Sequence, residues 1–496
     1  MPTNRLLLAF SAVVSGLVLG AAPAEAASCE SLATVAFPDA GITTAIVVPA
    51  GGGAAKNLPE YCRVTATLRP SADSDIKIEV WLPTTGWNGK LLAVGNGGWN
   101  GAINGGALGD GLRRGYAVTA TDQGHQGNGG PWMQRPEKLV DFGHRATHEM
   151  AVKAKVVTSS FYGTAPRRSY FQGCSAGGRQ AIMEAHRYPD DFDGIVAGAP
   201  AVDTTGRASF SMWIAQQQHR GEGTHIPSEK YPAIHNAALD ACDALDGVKD
   251  RIIENPRACK FDPKVIECKA GDAATCLTPA QVETARTMYK PLVHPQTGAV
   301  IFPGLEPGSE LGWATFGAPQ PFAIGAQMFQ YMVFNNPAWD YKTLNFDQDM
   351  AKVAAIEKGD INVLQPNLDK FAARGGKLIQ YHGWADQQIP AGSSTRFFNS
   401  LSTHARGGSK LEPYYRLYMV PAMGHCGGGA GTTTFDMLTA LEQWVEHGKA
   451  PDSIPASRVV SGKTERTRPL CPYPQVAKWS GQGSPDDSVN FSCKAP

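Results

Sequence analysis

Apolar and polar positions along the chain fall into two regimes. From Lys77 to Leu82 they alternate, Lys-Ile-Glu-Val-Trp-Leu, which predicts a strand with one face buried. Trp87-Asn88-Gly89 then turns into a second apolar run, Lys90 to Val94, and Gly95 to Gly101 forms a glycine-rich loop at its end. Tyr116–Ala120, Ser169–Gly173 and Gly194–Gly198 are further short apolar runs, with helical patterns over Ala146–Phe161 and Arg179–Arg187 between them. Strands alternating with helices predict a mostly parallel sheet covered on both faces, the α/β class. After Pro200 the rhythm stops, and residues 201–365 are proline-rich, carry four cysteines and show no β-α alternation. It returns at Lys377–Gly383 and Tyr415–Val420, and Phe435–His447 reads as an amphipathic helix. The pattern predicts a core built from residues 27–200 and 366–496, interrupted by a large inserted domain over 201–365.

Residues 1–26 stand apart from this plan. Arg5 supplies a positive start, Leu6 to Leu19 an apolar stretch too short for a membrane span, and Ala24-Glu25-Ala26 a cleavage site. A secreted or periplasmic protein is the expectation. Cys29 is not read as a lipid attachment point, because Ala26-Ala27-Ser28 lacks the large aliphatic residue such a site carries. All 10 cysteines follow the leader, which predicts a disulfide framework in an exported chain. No Cys-x-x-Cys pair or histidine cluster has zinc spacing, which argues against a thiolate metal site. Formal net charge is zero, with Lys and Arg scattered, so neither nucleic acid nor an anionic membrane is an expected partner.

The chemistry concentrates in two short motifs. Gly173-Cys174-Ser175-Ala176-Gly177 has the Gly-x-Ser-x-Gly form of a nucleophile elbow, between a predicted strand and a predicted helix. Far downstream, Gly424-His425-Cys426 follows the Tyr415–Val420 strand. A serine needs a base to remove its proton, and the base needs a third group to hold its tautomer. The α/β-hydrolase order is Ser, then Asp or Glu, then His. Ser175 is the predicted nucleophile, His425 the base, and Asp386, just past the Lys377–Gly383 strand, the orienting acid. Asp369 replaces Asp386 only if that strand is misassigned. The Ala176 N–H and one from the glycine-rich loop, Gly98, are the predicted oxyanion donors. Each motif also sets a cysteine against a catalytic candidate, Cys174 beside Ser175 and Cys426 beside His425.

With these residues in place, the chain resembles the tannase and feruloyl esterase family from about Cys29 to its C-terminus. That family includes fungal feruloyl esterases, tannases and a bacterial mono(2-hydroxyethyl) terephthalate hydrolase. Its hallmark is a Cys-Ser, Asp, His-Cys set with the two cysteines bridged, matched here by Cys174-Ser175, Asp386 and His425-Cys426. The resemblance implies an α/β-hydrolase core with a lid, and four further bridges: Cys29 with Cys62, Cys242 with Cys259, Cys268 with Cys276, and Cys471 with Cys493. It also implies a structural Ca²⁺ in the lid and no organic cofactor. The ligands would be the side chains of Asp243, Asp246 and Asp250 with the carbonyls of Val248 and Ile252. The residues alone show only three carboxylates around a glycine turn, which differs from an EF-hand and equally describes a solvated acidic turn.

By the same resemblance, the segment around the acid and the lid form the acyl pocket. His382, Gln388 and Ile389 flank Asp386, and Trp313, Phe316, Phe322, Phe329 and Tyr331 offer aromatic walls, although each equally reads as lid core. No Lys or Arg occurs from Pro291 to Tyr341, where the terephthalate-ester hydrolase of the family uses an arginine. A neutral or phenolic acyl group is therefore expected over a charged monoester. The reading is a secreted serine carboxylesterase acting on a small aromatic ester, free or attached to plant polysaccharide or polyphenol. Feruloyl-type esters rank first, then galloyl and terephthalate esters. A catalytically decayed carbohydrate-binding protein and a peptidase on the same fold are the rivals from other classes.

Overall fold

The computed structural model describes residues 1, 27–52, 57–404 and 411–496; the predicted leader, residues 2–26, lies outside them. Nine strands form one sheet: β1 (Ala40–Val48), β2 (Tyr61–Leu68), β3 (Ile76–Pro83), β4 (Lys90–Val94), β5 (Ala117–Thr121), β6 (Arg168–Cys174), β7 (Gly194–Gly198), β8 (Lys377–Gly383) and β9 (Tyr415–Val420). Their spatial order is β1-β2-β3-β5-β4-β6-β7-β8-β9. β1, β2, β3 and β5 pair antiparallel, and all pairs from β5 to β9 are parallel. This is the α/β-hydrolase architecture expected. The alternation read at Lys77–Leu82 belongs to β3. The continuous apolar runs of β4 and β7 suit strands whose two faces are both covered.

Each face has its own core. On one, Met150, Val157 and Phe161 of helix Ala146–Tyr162 and Ile182 and Met183 of helix Ala176–Arg187 pack on the sheet with Phe397 and Leu401. On the other, Leu108 and Leu112 of helix Gly105–Arg113 join Leu438, Leu441 and Trp444 of helix Met437–His447. Among the described residues, no strand of this sheet falls between Gly198 and Lys377. That stretch holds helices Thr204–Gln218, Tyr231–Cys242, Pro279–Tyr289 and Phe346–Glu357. Its apolar residues form a third core, joined by Trp99, Trp132 and Phe142 from the loops above the sheet and by Ile389.

Two parts lack a predicted counterpart. β1 and β2 extend the sheet as an antiparallel edge, braced by the Cys29–Cys62 bridge. At the C-terminus, hairpins Ile454–Val460/Lys463–Leu470 and Val476–Trp479/Phe491–Lys494 carry Cys471–Cys493. Arg466 and Arg468 reach from there to the Asp250 carboxylate, 3.2 and 2.9 Å away. All five bridges join the implied pairs, and no free cysteine remains.

Backbone meets backbone closely where helix Ala176–Arg187 passes β6 and β7. A Cβ on Gly173 would stand 2.5 Å from the Gly177 backbone, and one on Gly178 would stand 2.2 Å from the Gly198 carbonyl oxygen. Neither contact can be relieved by turning a side chain. Gly178→Ala is therefore expected to destabilise the fold by about 1–3 kcal/mol, as overpacked cores do. A urea-unfolding midpoint equal to wild type would show that the backbone yields there.

Candidate active site

Ser175 occupies the turn itself, with φ 64° and ψ −121° between β6 and helix Ala176–Arg187. A non-glycine residue held at positive φ is strained, and here its neighbours fix it. The Ser175 N–H donates to the Gly198 carbonyl at 2.9 Å, and its own carbonyl accepts from Arg179 at 3.0 Å and Ala201 at 3.2 Å. The strand end and helix start thus present the hydroxyl at the carboxyl edge of the sheet, where a helix N-terminus favours negative charge.

Asp386 and His425 meet at the same edge. His425 Nδ1 lies 2.8 Å from Asp386 Oδ2. Asp386 Oδ1 accepts the N–H groups of Gln388 and Ile389, both at 2.8 Å. Burial alone would raise the Asp386 carboxyl, but the His425 charge and hydrogen bonds from His382 and His425 hold it well below the ordinary carboxylate range. Asp369, the fallback acid, lies instead at an exposed position 3.1 Å from His404 Nε2. The Cys174–Cys426 bridge joins the residue before Ser175 to the residue after His425, with Cα atoms 5.9 Å apart.

A cleft of about 760 Å³ opens over these groups, a size that suits a small ester. Ser175, His425, Cys174, Cys426, Gly98 and Gln388 all border it. Among the described residues, the N–H groups of Gly98 and Ala176 are absent from the backbone hydrogen-bond network. Both are free to meet an oxyanion.

Three expected pocket residues lie elsewhere. Trp313 is fully buried in the core of the insertion, against Tyr289 and Tyr231, and its indole N–H donates to Ser309 Oγ at 3.1 Å. Ile389 is 1% exposed and serves Asp386 through its backbone. His382 has no exposed surface and lies beneath the acid, with Nε2 3.1 Å from Asp386 Oδ2 and 2.9 Å from the Ile389 carbonyl. Of the four, Gln388 alone borders the cleft. Flanking a catalytic aspartate in sequence puts a residue below it as readily as in front of it, because neighbours on a strand end point to opposite faces.

Sequence reasoning missed the network that holds the site. Behind His382, Nδ1 meets Ser394 Oγ at 2.6 Å, Gln380 Nε2 donates to that same oxygen at 2.6 Å, and Tyr415 OH donates to Gln380 Oε1 at 2.8 Å. All four residues are buried. Gln387 Oε1 accepts the His425 N–H at 3.1 Å. Asn96 pins the glycine-rich loop to the elbow helix: its N–H donates to Gln180 Oε1 at 3.2 Å and its carbonyl accepts from Gly177 at 2.7 Å. Nothing in the local sequence marks these residues, since their partners are 12 to 84 positions away.

The acidic turn is a separate feature. Asp243 is 4% exposed and accepts the N–H groups of Asp250, Arg251 and Ile252. Burial, with the nearby charges of Asp250 and Asp243, pushes the Asp246 carboxyl up. That concentration of charge fits a hard divalent cation in kind. Among the described residues, the group of His, Cys, Asp and Glu ligand atoms lying within 4.8 Å of one another is instead His148, Glu184 and Asp191. Arg466 and Arg468 already balance part of the Asp250 charge.

Sheet order, strained elbow serine and buried Asp–His pair define an α/β-hydrolase. The family described as "Tannase and feruloyl esterase" matches residues 62–494. An uncharacterized esterase of Xanthomonas campestris pv. campestris is 36% identical, covering 99% of this chain and 94% of its own length. A probable feruloyl esterase B-2 of Aspergillus flavus is 37% identical over 82% of this chain and 81% of its own. The crystal structure of feruloyl esterase B from Aspergillus oryzae superposes with a TM-score of 0.89 at 30% identity, covering 94% of this chain and 100% of that one. Tannin acyl hydrolase from Aspergillus niger shares the fold, with a TM-score of 0.79 at 22% identity over 94% of this chain and 95% of its own. The chain belongs to the tannase and feruloyl esterase family and is a carboxylic ester hydrolase.

A carboxylate stabilised in its ionised form contributes to folding above its unfolded pKa, and that contribution is lost as pH falls through the depressed folded value. The melting-temperature gap between wild type and Asp386→Asn is therefore expected to be constant near neutrality and to narrow below about pH 4. A gap that stays constant down to pH 2 would show that Asp386 is not held ionised by its neighbours.

Proposed function

We propose that this chain is a secreted or periplasmic serine esterase that cleaves aromatic esters of the hydroxycinnamoyl type through an acyl-enzyme on Ser175. The observation that carries the reading is the Asp386–His425 pair tied by the Cys174–Cys426 bridge to the elbow serine at one cleft. In this scheme His425 takes the Ser175 proton as Oγ attacks the ester carbonyl. The N–H groups of Gly98 and Ala176 receive the oxyanion. Collapse expels the alcohol, which leaves with the proton held by His425, and the acyl group stays on Ser175. Water then attacks, His425 takes its proton and returns one to Ser175, and the carboxylic acid departs.

The hydroxycinnamoyl preference draws support from relatives named as feruloyl esterases at more than 30% identity. A galloyl ester ranks second. An orienting acid and a bridged base have no use in a decayed binding protein, so a catalytic role is favoured over that reading. For location, five disulfides suit an oxidising compartment, and among the described residues no helix is long and apolar enough to cross a membrane. We also propose Ca²⁺ at Asp243, Asp246 and Asp250 with the Val248 and Ile252 carbonyls, bracing the insertion as a lid domain against the C-terminal hairpins.

Methyl ferulate, methyl gallate and terephthalate mono- and diesters, each assayed beside Ser175→Ala, test the scheme. Methyl ferulate is expected to give the highest kcat/KM among the four, with kcat lower by about 10⁴-fold or more in the variant. Activity that survives Ser175→Ala would overturn the nucleophile. For the cation, calcium at about 100 times its Kd is expected to add about 2.7 kcal/mol of stability, seen as a higher melting temperature than in chelator. Equal melting temperatures and no calcium by elemental analysis would remove it.

A further inference from the structure

Glu184 is a buried carboxylate with nothing to answer its charge. It lies in the last turn of helix Ala176–Arg187 and is 1% exposed. Among the described residues, both of its carboxylate oxygens are buried without a hydrogen-bond partner. Two other side chains with ligand atoms converge on it. One is His148, in the first turn of helix Ala146–Tyr162; the other is the buried Asp191, on the loop that leads into β7. One ligand atom from each of the three lies within 4.8 Å of the other two. His148 and Asp191 are 43 positions apart in the chain, so no metal-binding spacing shows in the sequence.

Two carboxylates that face each other need a positive charge between them, either a proton or a cation. Lys155 Nζ stands 4.0 Å from Asp191 Oδ1 and offsets part of one charge, but no donor reaches Glu184. Burial, with the Asp191 charge beside it, pushes the Glu184 carboxyl up, the response of a group that lacks a counter-charge. His148 Nδ1 lies 2.6 Å from Asp191 Oδ2, and its ring stacks on Tyr188 with centroids 3.9 Å apart. The Tyr188 hydroxyl is fixed in turn, 2.7 Å from His144 Nδ1. The imidazole is therefore held in one plane, as the outer partners of metal-binding histidines hold theirs. Its side chain is 28% exposed, which leaves an ion a way in from solvent.

We propose that His148, Glu184 and Asp191 form a binding site for a first-row divalent cation such as Zn²⁺, with water completing its shell. One imidazole nitrogen and two carboxylate oxygens suit such an ion, whereas calcium takes a shell of oxygens alone. The site is distinct from the acidic turn of the insertion, and none of its three residues borders the cleft over Ser175. It joins helix Ala146–Tyr162 to the far end of the helix that begins beside Ser175, so a bound ion clamps the elbow helix to its neighbour.

ZnCl₂ titrated by calorimetry into the full chain, after treatment with chelator, tests this. A single equivalent is expected to bind and to raise the melting temperature. Glu184→Gln keeps the shape and removes the charge. It is expected to weaken the Kd by about 100-fold or more, since losing even an outer partner costs 10- to 100-fold, and to abolish the zinc-induced rise in melting temperature. His148→Phe keeps a ring on Tyr188 without a ligand nitrogen; it is expected to behave alike and serves if the first variant fails to fold. Asp246→Asn, in the acidic turn, is expected to bind zinc as the wild type does. Co²⁺, which accepts the same ligand types, is expected to give visible d–d bands that both cluster variants lose. Absence of zinc binding, or an equal Kd in Glu184→Gln and His148→Phe, would overturn the proposal and leave the two carboxylates sharing a proton. Loss confined to Asp246→Asn would overturn it as well, by placing the ion in the acidic turn.

Discussion

The bridge between Cys174 and Cys426 is the constraint on which the site depends. Nucleophile and base lie on segments 252 residues apart, with the whole insertion between them. Hydrogen bonds alone would have to set their separation across two loops, each at a strand end. The bond fixes it covalently, one residue from each group. Closing so long a loop also removes roughly 5 kcal/mol of unfolded-state entropy in the chain-entropy model. Its larger consequence is geometric, because catalysis tolerates little error in the placement of a base.

A second layer of polar groups does for the acid what the bridge does for the base. Asp386 is buried, and an isolated carboxylate there would take up a proton. Two backbone N–H groups, His382 and His425 keep it charged. His382 is in turn oriented through Ser394, Gln380 and Tyr415, residues of β8, β9 and the helix Gly392–His404. The sheet therefore reaches the active site through a continuous line of hydrogen bonds, and the acid is as rigid as the strands beneath it.

This division explains what could be read from residues alone. Strands β3 to β9 announce themselves by alternation or by short apolar runs. The triad candidates follow because each sits at the end of such a run, and the pairing of cysteines came from resemblance. Local pattern carries no information on which side of Asp386 a neighbour points. His382 and Ile389 thus read as pocket residues although both lie below the acid. Trp313 misled for a related reason: an aromatic in a polar, proline-rich stretch looks available, while here it anchors the third core. The edge strands β1 and β2 and the C-terminal hairpins depend on pairings and bridges that no local period encodes.

Arg207 is the case where sequence and structure differ most in what they say about chemistry. In the sequence it is one of 45 basic residues, on a helix with no motif. In the fold it is nearly buried, with its Nε unpartnered and its guanidinium over the Phe322 ring. The same low dielectric that makes Asp386 expensive to ionise makes Arg207 expensive to leave alone, and the two charges ease each other across the site. Asp386 is supplied with donors on both oxygens, whereas the Arg207 Nε has no acceptor and its burial is offset only through the charge of Asp386.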